Sequence, residues 1–225
     1  MIDIKNLSIQ FTGENLFENV NLKIAKHDKI ALVGSNGTGK STFLKLLNGI
    51  EKPESGFIIK QKGITIGYLP QDLIAFKGFT LFEEVKSAIP NIKSLEEREK
   101  EILDGLNQPD LLDDDREELL EELGEIHHKQ EEIDFYSADS KIEKVLDGLG
   151  FKKQDFSRKT DEFSGGWQMR IQLAQILLAE NDLILLDEPT NHLDIDTLTW
   201  LEEFLQEFKG ALIVVSHDRH FVNSV

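Results

Sequence analysis

The sequence predicts an α/β fold on a mostly parallel sheet, and three observations carry that prediction. Two runs, DLILLD and ALIVVS, are apolar throughout, as strands buried on both faces must be. A glycine-rich turn, GSNGTGKST from Gly34 to Thr42, joins the β-rich run KIALV to the helix-like STFLKLLNGI. Short β-rich runs before residue 82 and a βα alternation from residue 136 flank a charged, helix-prone middle.

Taken in order, IDIKNLSIQF, NVNLKIA, KIALVG, GFIIK and ITIGYL read as strands separated by turns that contain glycine. Residues 83–134 then hold 19 acidic residues against six basic ones, a net −13 of the chain's −17. Within them Ile92, Leu95, Ile102 and Leu106 keep a 3-4 heptad spacing that breaks at Glu99. After Asn107-Gln108-Pro109 the spacing resumes at Leu112, Leu119, Leu123, Ile126 and Ile133, with Arg116 and Gln130 off the pattern. Two amphipathic helices meeting at a proline-containing turn and packing as an antiparallel hairpin account for this. A solvated helical pair without a partner is an equally simple reading of the same stretch.

Composition narrows the function classes. With 40% apolar residues in 225, a substantial core is available. The absence of cysteine excludes disulfides, thiolate metal sites and a cysteine nucleophile. No run of some 18 apolar residues occurs, and MIDIKNLSIQ lacks a secretory layout, so a soluble, cytoplasmic protein without a membrane partner is expected. A charge of −17 argues against the chain as a whole wrapping nucleic acid.

The chemistry collects at strand ends. The run Gly34, Ser35, Asn36, Gly37, Thr38, Gly39, Lys40, Ser41, Thr42 fits G-x-x-x-x-G-K-[ST]. Its glycines turn backbone N–H groups toward phosphate oxygens at a helix N-terminus; Lys40 reaches the β- and γ-phosphates, and the Ser41 hydroxyl suits magnesium. LILLDE ends a buried strand in two acids: Asp187 is positioned to hold the metal through its water shell, and Glu188 to polarise an attacking water. ALIVVSH ends another in His217, within reach of a γ-phosphate or that water. A lone histidine is more often a cap or a core residue; the strand-end position argues otherwise. Gln71, after ITIGYL, offers an amide to magnesium or water, and Phe11 an aromatic face to a purine, although a loop glutamine or a core phenylalanine is the commoner role.

In this order, GSNGTGKST, YLPQ, FSGGW, LILLDE, NHLD and SHDR resemble the motifs of the ATP-binding cassette (ABC) ATPases, over nearly the whole chain. DEPTNHLD together with SGGWQMR is similar to the ABC-F class, soluble tandem-cassette proteins that act on ribosomes. The resemblance implies a P-loop cassette with a mostly parallel core sheet, an antiparallel β subdomain, and a helical subdomain carrying an inserted α-hairpin arm. It divides residues 1–225 into a nucleotide-binding core, 1–82 and 180–225, and a helical subdomain, 83–179, with the acidic arm at 91–134. It makes Phe11 the adenine-stacking residue, Gly34 to Thr42 the phosphate cradle, Ser41, Gln71 and Asp187 the Mg2+ end, Glu188 the general base and His217 the switch, with Lys40 at the γ-phosphate.

The same resemblance has Ser164, Gly165 and Gly166 contact the γ-phosphate held by a facing cassette, and Asn191, His192, Leu193 and Asp194 line the seam between the two. ATP and a second cassette, in the same full-length chain or in a homodimer, are the implied partners, together with the ribosome. An acidic arm departs from what RNA phosphate would favour. The end at HFVNSV reads as the truncation of an N-terminal cassette. Two other readings remain: the nucleotide-binding subunit of a membrane transporter, and a non-hydrolysing module in which ATP only orders the hairpin.

Overall fold

The computed structural model describes residues 1–11, 14–72, 76, 78–90, 92–107, 112–132 and 135–225. In chain order the elements are β1 (Ile2–Phe11), β2 (Glu14–Ile24), β3 (Lys29–Leu32), α1 (Lys40–Asn48), β4 (Ser55–Lys60) and β5 (Ile66–Leu69). The helices α2 (Leu81–Lys86), α3 (Ile92–Leu106), α4 (Asp113–Glu132), α5 (Phe135–Gly148) and α6 (Gly165–Leu178) follow. The chain then closes with β6 (Leu183–Asp187), α7 (Ile195–Glu207), β7 (Ala211–Val215) and α8 (Arg219–Ser224).

The strands form two sheets. β3-β7-β6-β5 is parallel throughout, with Leu32 opposite Val215, Leu186 opposite Val214 and Leu69 opposite Leu186. β2-β1-β4 is antiparallel. The two all-apolar runs are the central strands β6 and β7, buried at every position, because helices cover both faces of that sheet. KIALV, in contrast, lies at the sheet edge as β3, with alternate residues exposed. One apolar cluster packs α5, α6 and α7 against one face; the other joins α1 and the antiparallel sheet to the opposite face through Leu183, Leu185, Ile213 and Val215. Alternate residues of β6 therefore serve different layers, as a strand's period of two requires.

Local chemistry sets the helix limits that matter to the site. α1 begins after Gly39, at φ 91°, and ends at Gly49, at φ 92°, whose N–H reaches the Leu46 and Lys45 carbonyls. Thr80 and Glu83 cap α2 reciprocally: Glu83 N donates to Thr80 Oγ1 at 3.3 Å and Thr80 N to Glu83 Oε2 at 3.0 Å. Asp194 caps α7, accepting from Thr197 N at 3.0 Å.

The acidic segment folds into α3 and α4, which pack antiparallel: Arg98 donates to Glu122 from Nε at 2.7 Å and from Nη2 at 2.8 Å, while Gly105 stands against Leu119. Ile92, Ile102 and Ile126 are buried. The heptad break at Glu99 is filled by charge: His127 Nε2 lies 3.1 Å from Glu99 Oε1. Leu112 does not continue the inner stripe. It precedes α4 and is 69% exposed, because α3 has already ended at Leu106. Gln108 and Pro109 of the expected turn, the residues on to Leu111, and Ile133 lie outside the described residues.

Candidate functional site

Four parallel strands deliver side chains to one cavity at their carboxyl ends, of about 620 Å³. β3 leads into Asn36, Gly37, Gly39, Lys40, Ser41 and Thr42; β5 into Gln71; β6 into Asp187, Glu188 and Asn191; and β7 into His217. Ser35, Gly34 and Thr38 belong to the same loop without lining the cavity: Thr38 Oγ1 donates to Ser35 O at 2.9 Å and so braces the turn.

Gly39 is required twice. Its φ of 91° disfavours any L side chain, and a Cβ there would come within 2.7 Å of Phe17 Cζ and 2.8 Å of Leu16 Cγ. Lys40 folds over the loop, its Nζ donating to Gly34 O and Ser35 O, both at 2.9 Å. An ammonium has three donors, so one is left for an anion in the cradle.

The acids at the end of β6 are buried, Asp187 at 1% exposure and Glu188 at 7%. Burial pushes the Asp187 carboxyl above its usual range; a hydrogen bond from Ser41 opposes the shift, neighbouring Glu188 adds to it, and Lys45 and Lys40 oppose it. Glu188 sits in the left-handed region at φ 52° and ψ 53°, an uncommon conformation for a non-glycine residue that costs about 1–3 kcal/mol. Its backbone N–H donates to Val215 O at 2.8 Å, and its Oε2 accepts from His217 N at 3.2 Å, which pin the strained residue between β6 and β7. The His217 ring reaches across to the glycine-rich loop, with Nε2 2.9 Å from Asn36 Oδ1 and 3.4 Å from Glu188 Oε1.

Two carboxylate oxygens, Asp187 Oδ1 and Glu188 Oε1, are buried without a hydrogen-bond partner. Hard oxygen donors of this kind, with the Ser41 hydroxyl and the Gln71 amide on the same cavity wall, fit a magnesium ion accompanying a polyphosphate.

The remaining predicted residues lie apart. Ser164, Gly165 and Gly166 do not line the cavity; Ser164 faces a second hollow of about 380 Å³ beside Trp167, Lys152 and Arg158. No side chain caps the N-terminus of α6, so its first N–H groups stay open to an anion. Gly166 packs near His192, 3.7 Å from where its Cβ would stand, which brings this turn beside His192, Leu193 and Asp194. The Phe11 side chain lies outside what the structure describes.

Sequence reasoning missed three residues. Leu16 lines the cavity beside Gly39. Tyr68, three residues before Gln71, has its hydroxyl buried, and desolvation, reinforced by the Asp187 and Asp72 charges, pushes it up to about 12. Arg170, quoted only as part of a motif, is 8% exposed and ties α6 to the 189–194 turn. It donates to His192 O from Nε at 3.1 Å and from Nη2 at 3.0 Å, to Leu149 O at 3.0 Å, to Thr197 Oγ1 at 3.3 Å and to Asp194 Oδ2 at 2.9 Å. Its guanidinium also stacks 4.5 Å from the Trp167 ring. The first signal for such a residue would be a lone charge in the otherwise uncharged helix WQMRIQLAQILLA.

The ABC transporter family model matches residues 17–191, a span that runs from within β2, through the glycine-rich loop, into the turn that follows β6. The chain belongs to the ABC transporter family. Cassettes of this family are ATPases, and this chain is an ABC ATPase cassette.

Among relatives, YfmM of Bacillus subtilis (strain 168), an "ABC transporter ATP-binding protein", is 37% identical over 225 residues, all of this chain and 43% of its own length. The Arabidopsis thaliana "ABC transporter F family member 5" is 36% identical over 229 residues, and the "Probable ATP-binding protein YbiT" of Escherichia coli O157:H7 is 38% identical over 225. The chain covers 32% and 41% of these two, so it spans less than half the length of these relatives.

Among solved structures, the archaeal ribosome recycling factor, in complex with a ribosomal stalk protein, is 26% identical with a TM-score of 0.66, covering 99% of this chain and 35% of that one. A dimeric ATP-binding cassette bound to ADP and phosphate is 22% identical with a TM-score of 0.60 over 100% of this chain and 91% of the other, and shows the shared fold. Among the described residues no helix is long and apolar enough to cross a membrane.

Proposed function

We propose that the chain is the N-terminal cassette of a tandem ABC-F type ATPase, binding Mg-ATP in the 620 Å³ cavity and hydrolysing it in partnership with a second cassette. The observation that carries this reading is the gathering of the glycine-rich loop, Gln71, Asp187, Glu188 and His217 around one cavity from four different strands.

In this reading the Gly34–Thr42 backbone and the free Lys40 donor hold the β- and γ-phosphates, with Phe11 and Leu16 at the purine end. Ser41, Gln71 and Asp187 hold magnesium, which when bound neutralises phosphate charge. Glu188 takes the proton of the attacking water at Oε1, which accepts no hydrogen bond and has the His217 ring 3.4 Å away, while Oε2 stays anchored to the His217 N–H. His217, already facing both Glu188 and Asn36, is placed to respond to the γ-phosphate.

Ser164, Gly165 and Gly166 serve the nucleotide of the facing cassette, an assignment favoured by their separation from this chain's own cavity, and the 191–194 turn, which reaches that cavity only through Asn191, lines the seam. Residues 1–82 and 180–225 form the nucleotide-binding core, 83–179 the helical subdomain, and 91–134 the arm. Relatives named F family members, and the likeness to a ribosome recycling factor, favour action on the ribosome in the cytoplasm, in translation or its protection.

Glu188→Gln in the full-length protein tests both levels. ATP binding should persist, turnover should fall by at least 100-fold, and ATP should hold the protein on sedimenting ribosomes. Undiminished turnover would refute Glu188 as the base; sedimentation indifferent to ATP would refute the ribosomal role.

A further inference from the structure

Of the buried polar atoms without a hydrogen-bond partner among the described residues, three concern the proposed catalytic end: Asp187 Oδ1, Glu188 Oε1 and the Tyr68 hydroxyl. Two are acceptors in residues already given roles. The third is a donor with none.

The register of the sheet places that donor. β5 and β6 run parallel with Tyr68 opposite Leu185, and residues two apart on a strand share a face. Tyr68, Leu185 and Asp187 therefore face the same side, the side covered by α1, and Tyr68 packs with Leu185, Phe43 and Leu44 in one cluster. From α1, the Ser41 hydroxyl opposes the upward shift of the Asp187 carboxyl, and both residues line the same cavity. The phenol also feels the Asp187 and Asp72 charges. A phenylalanine would fill the same space without a hydroxyl to desolvate, so packing alone does not account for a tyrosine here.

We infer that Tyr68 is a positioning residue for the metal end of the site: its hydroxyl, which has no hydrogen-bond partner in the structure, supplies the donor that orients the Asp187 carboxylate once magnesium is bound. This rests on the proposed reading of Asp187 as a magnesium-holding residue. Donors behind a metal-holding carboxylate fix its orientation, and their removal lowers metal affinity by about 10–100-fold. Tyr68 is not among the residues that line the cavity, so it acts only through Asp187.

The test is Tyr68→Phe, which keeps the ring, with a fluorescent ATP analogue titrated in excess chelator and across a Mg2+ series. Metal-free nucleotide affinity should match the wild type, whereas the Mg2+ concentration for half-maximal enhancement of binding should rise by about tenfold. A merely structural tyrosine would change both affinities together or neither. An unchanged Mg2+ requirement in Tyr68→Phe, with Asp187→Asn losing Mg2+ dependence, overturns the inference and leaves the Asp187 reading standing. Retention of Mg2+ dependence in Asp187→Asn overturns the Asp187 reading itself, and the role of Tyr68 with it.

Discussion

Replacing Arg170 by methionine tests how the α6 turn and the 189–194 turn are held in one orientation. Methionine keeps an unbranched apolar stem against Trp167 but removes five hydrogen bonds. The largest loss is expected at Leu149 O, where an unsatisfied buried acceptor costs about 1–3 kcal/mol; His192 O is only part-buried, and losing its donors costs about 1 kcal/mol, hence about 2–4 kcal/mol together. The ion pair adds little, because Asp194 is 59% exposed and screened by water. A net loss of about 3 kcal/mol follows, which for a domain of this size lowers Tm by roughly 6–12 °C. Urea unfolding should show a lower midpoint at an unchanged slope. Asp194→Ala should cost only about 1 kcal/mol, that of a lost helix cap. A loss below about 1 kcal/mol in Arg170→Met would refute the reasoning, as would an Asp194→Ala variant as unstable as Arg170→Met, which would make the charge pair the dominant contact.

Gly39→Ala places a Cβ against Phe17 and Leu16 at φ 91°; a stability loss of at least about 1 kcal/mol and failure to retain ATP on a filter are expected. The Asp194 carboxyl is held at about 2, below its usual 3.8, first by the Thr197 N–H and then by Arg170. Its stabilisation is therefore complete above about pH 4, and it declines as pH falls toward 2. Unfolding midpoints of Asp194→Asn should vary less steeply than those of the wild type across that window, and parallel curves would remove Asp194 as a contributor.

The sequence made the strand ends legible because all-apolar runs stopping at DE, SH and a glycine-rich loop are local patterns, each decided by a few neighbouring residues. The antiparallel hairpin was legible from its spacing, down to the flaw at Glu99. What filled the flaw was not, since Glu99 and His127 are 28 positions apart and only packing brings them together. Arg170 and Tyr68 were hidden for the same reason: a cation in a helix and a tyrosine in a strand declare nothing until their neighbours from other elements are known. Leu112 was misplaced because a heptad count continues past the point where the partner helix stops. The edge position of β3 likewise depends on strand order, which no local run encodes.

Two of the hairpin's exposed cations pair with its own acids. Arg98 is held by Glu122 and Glu101, and Lys129 lies 3.5 Å from Glu125, leaving a surplus of acid on the outside. At physiological salt such a surplus is screened beyond about 8 Å, less than the width of one helix. The hairpin is thus electrically silent to anything at a distance and discriminating at contact: a phosphate chain meets repulsion just as it touches, whereas a lysine-rich protein surface is drawn the last few ångströms into place.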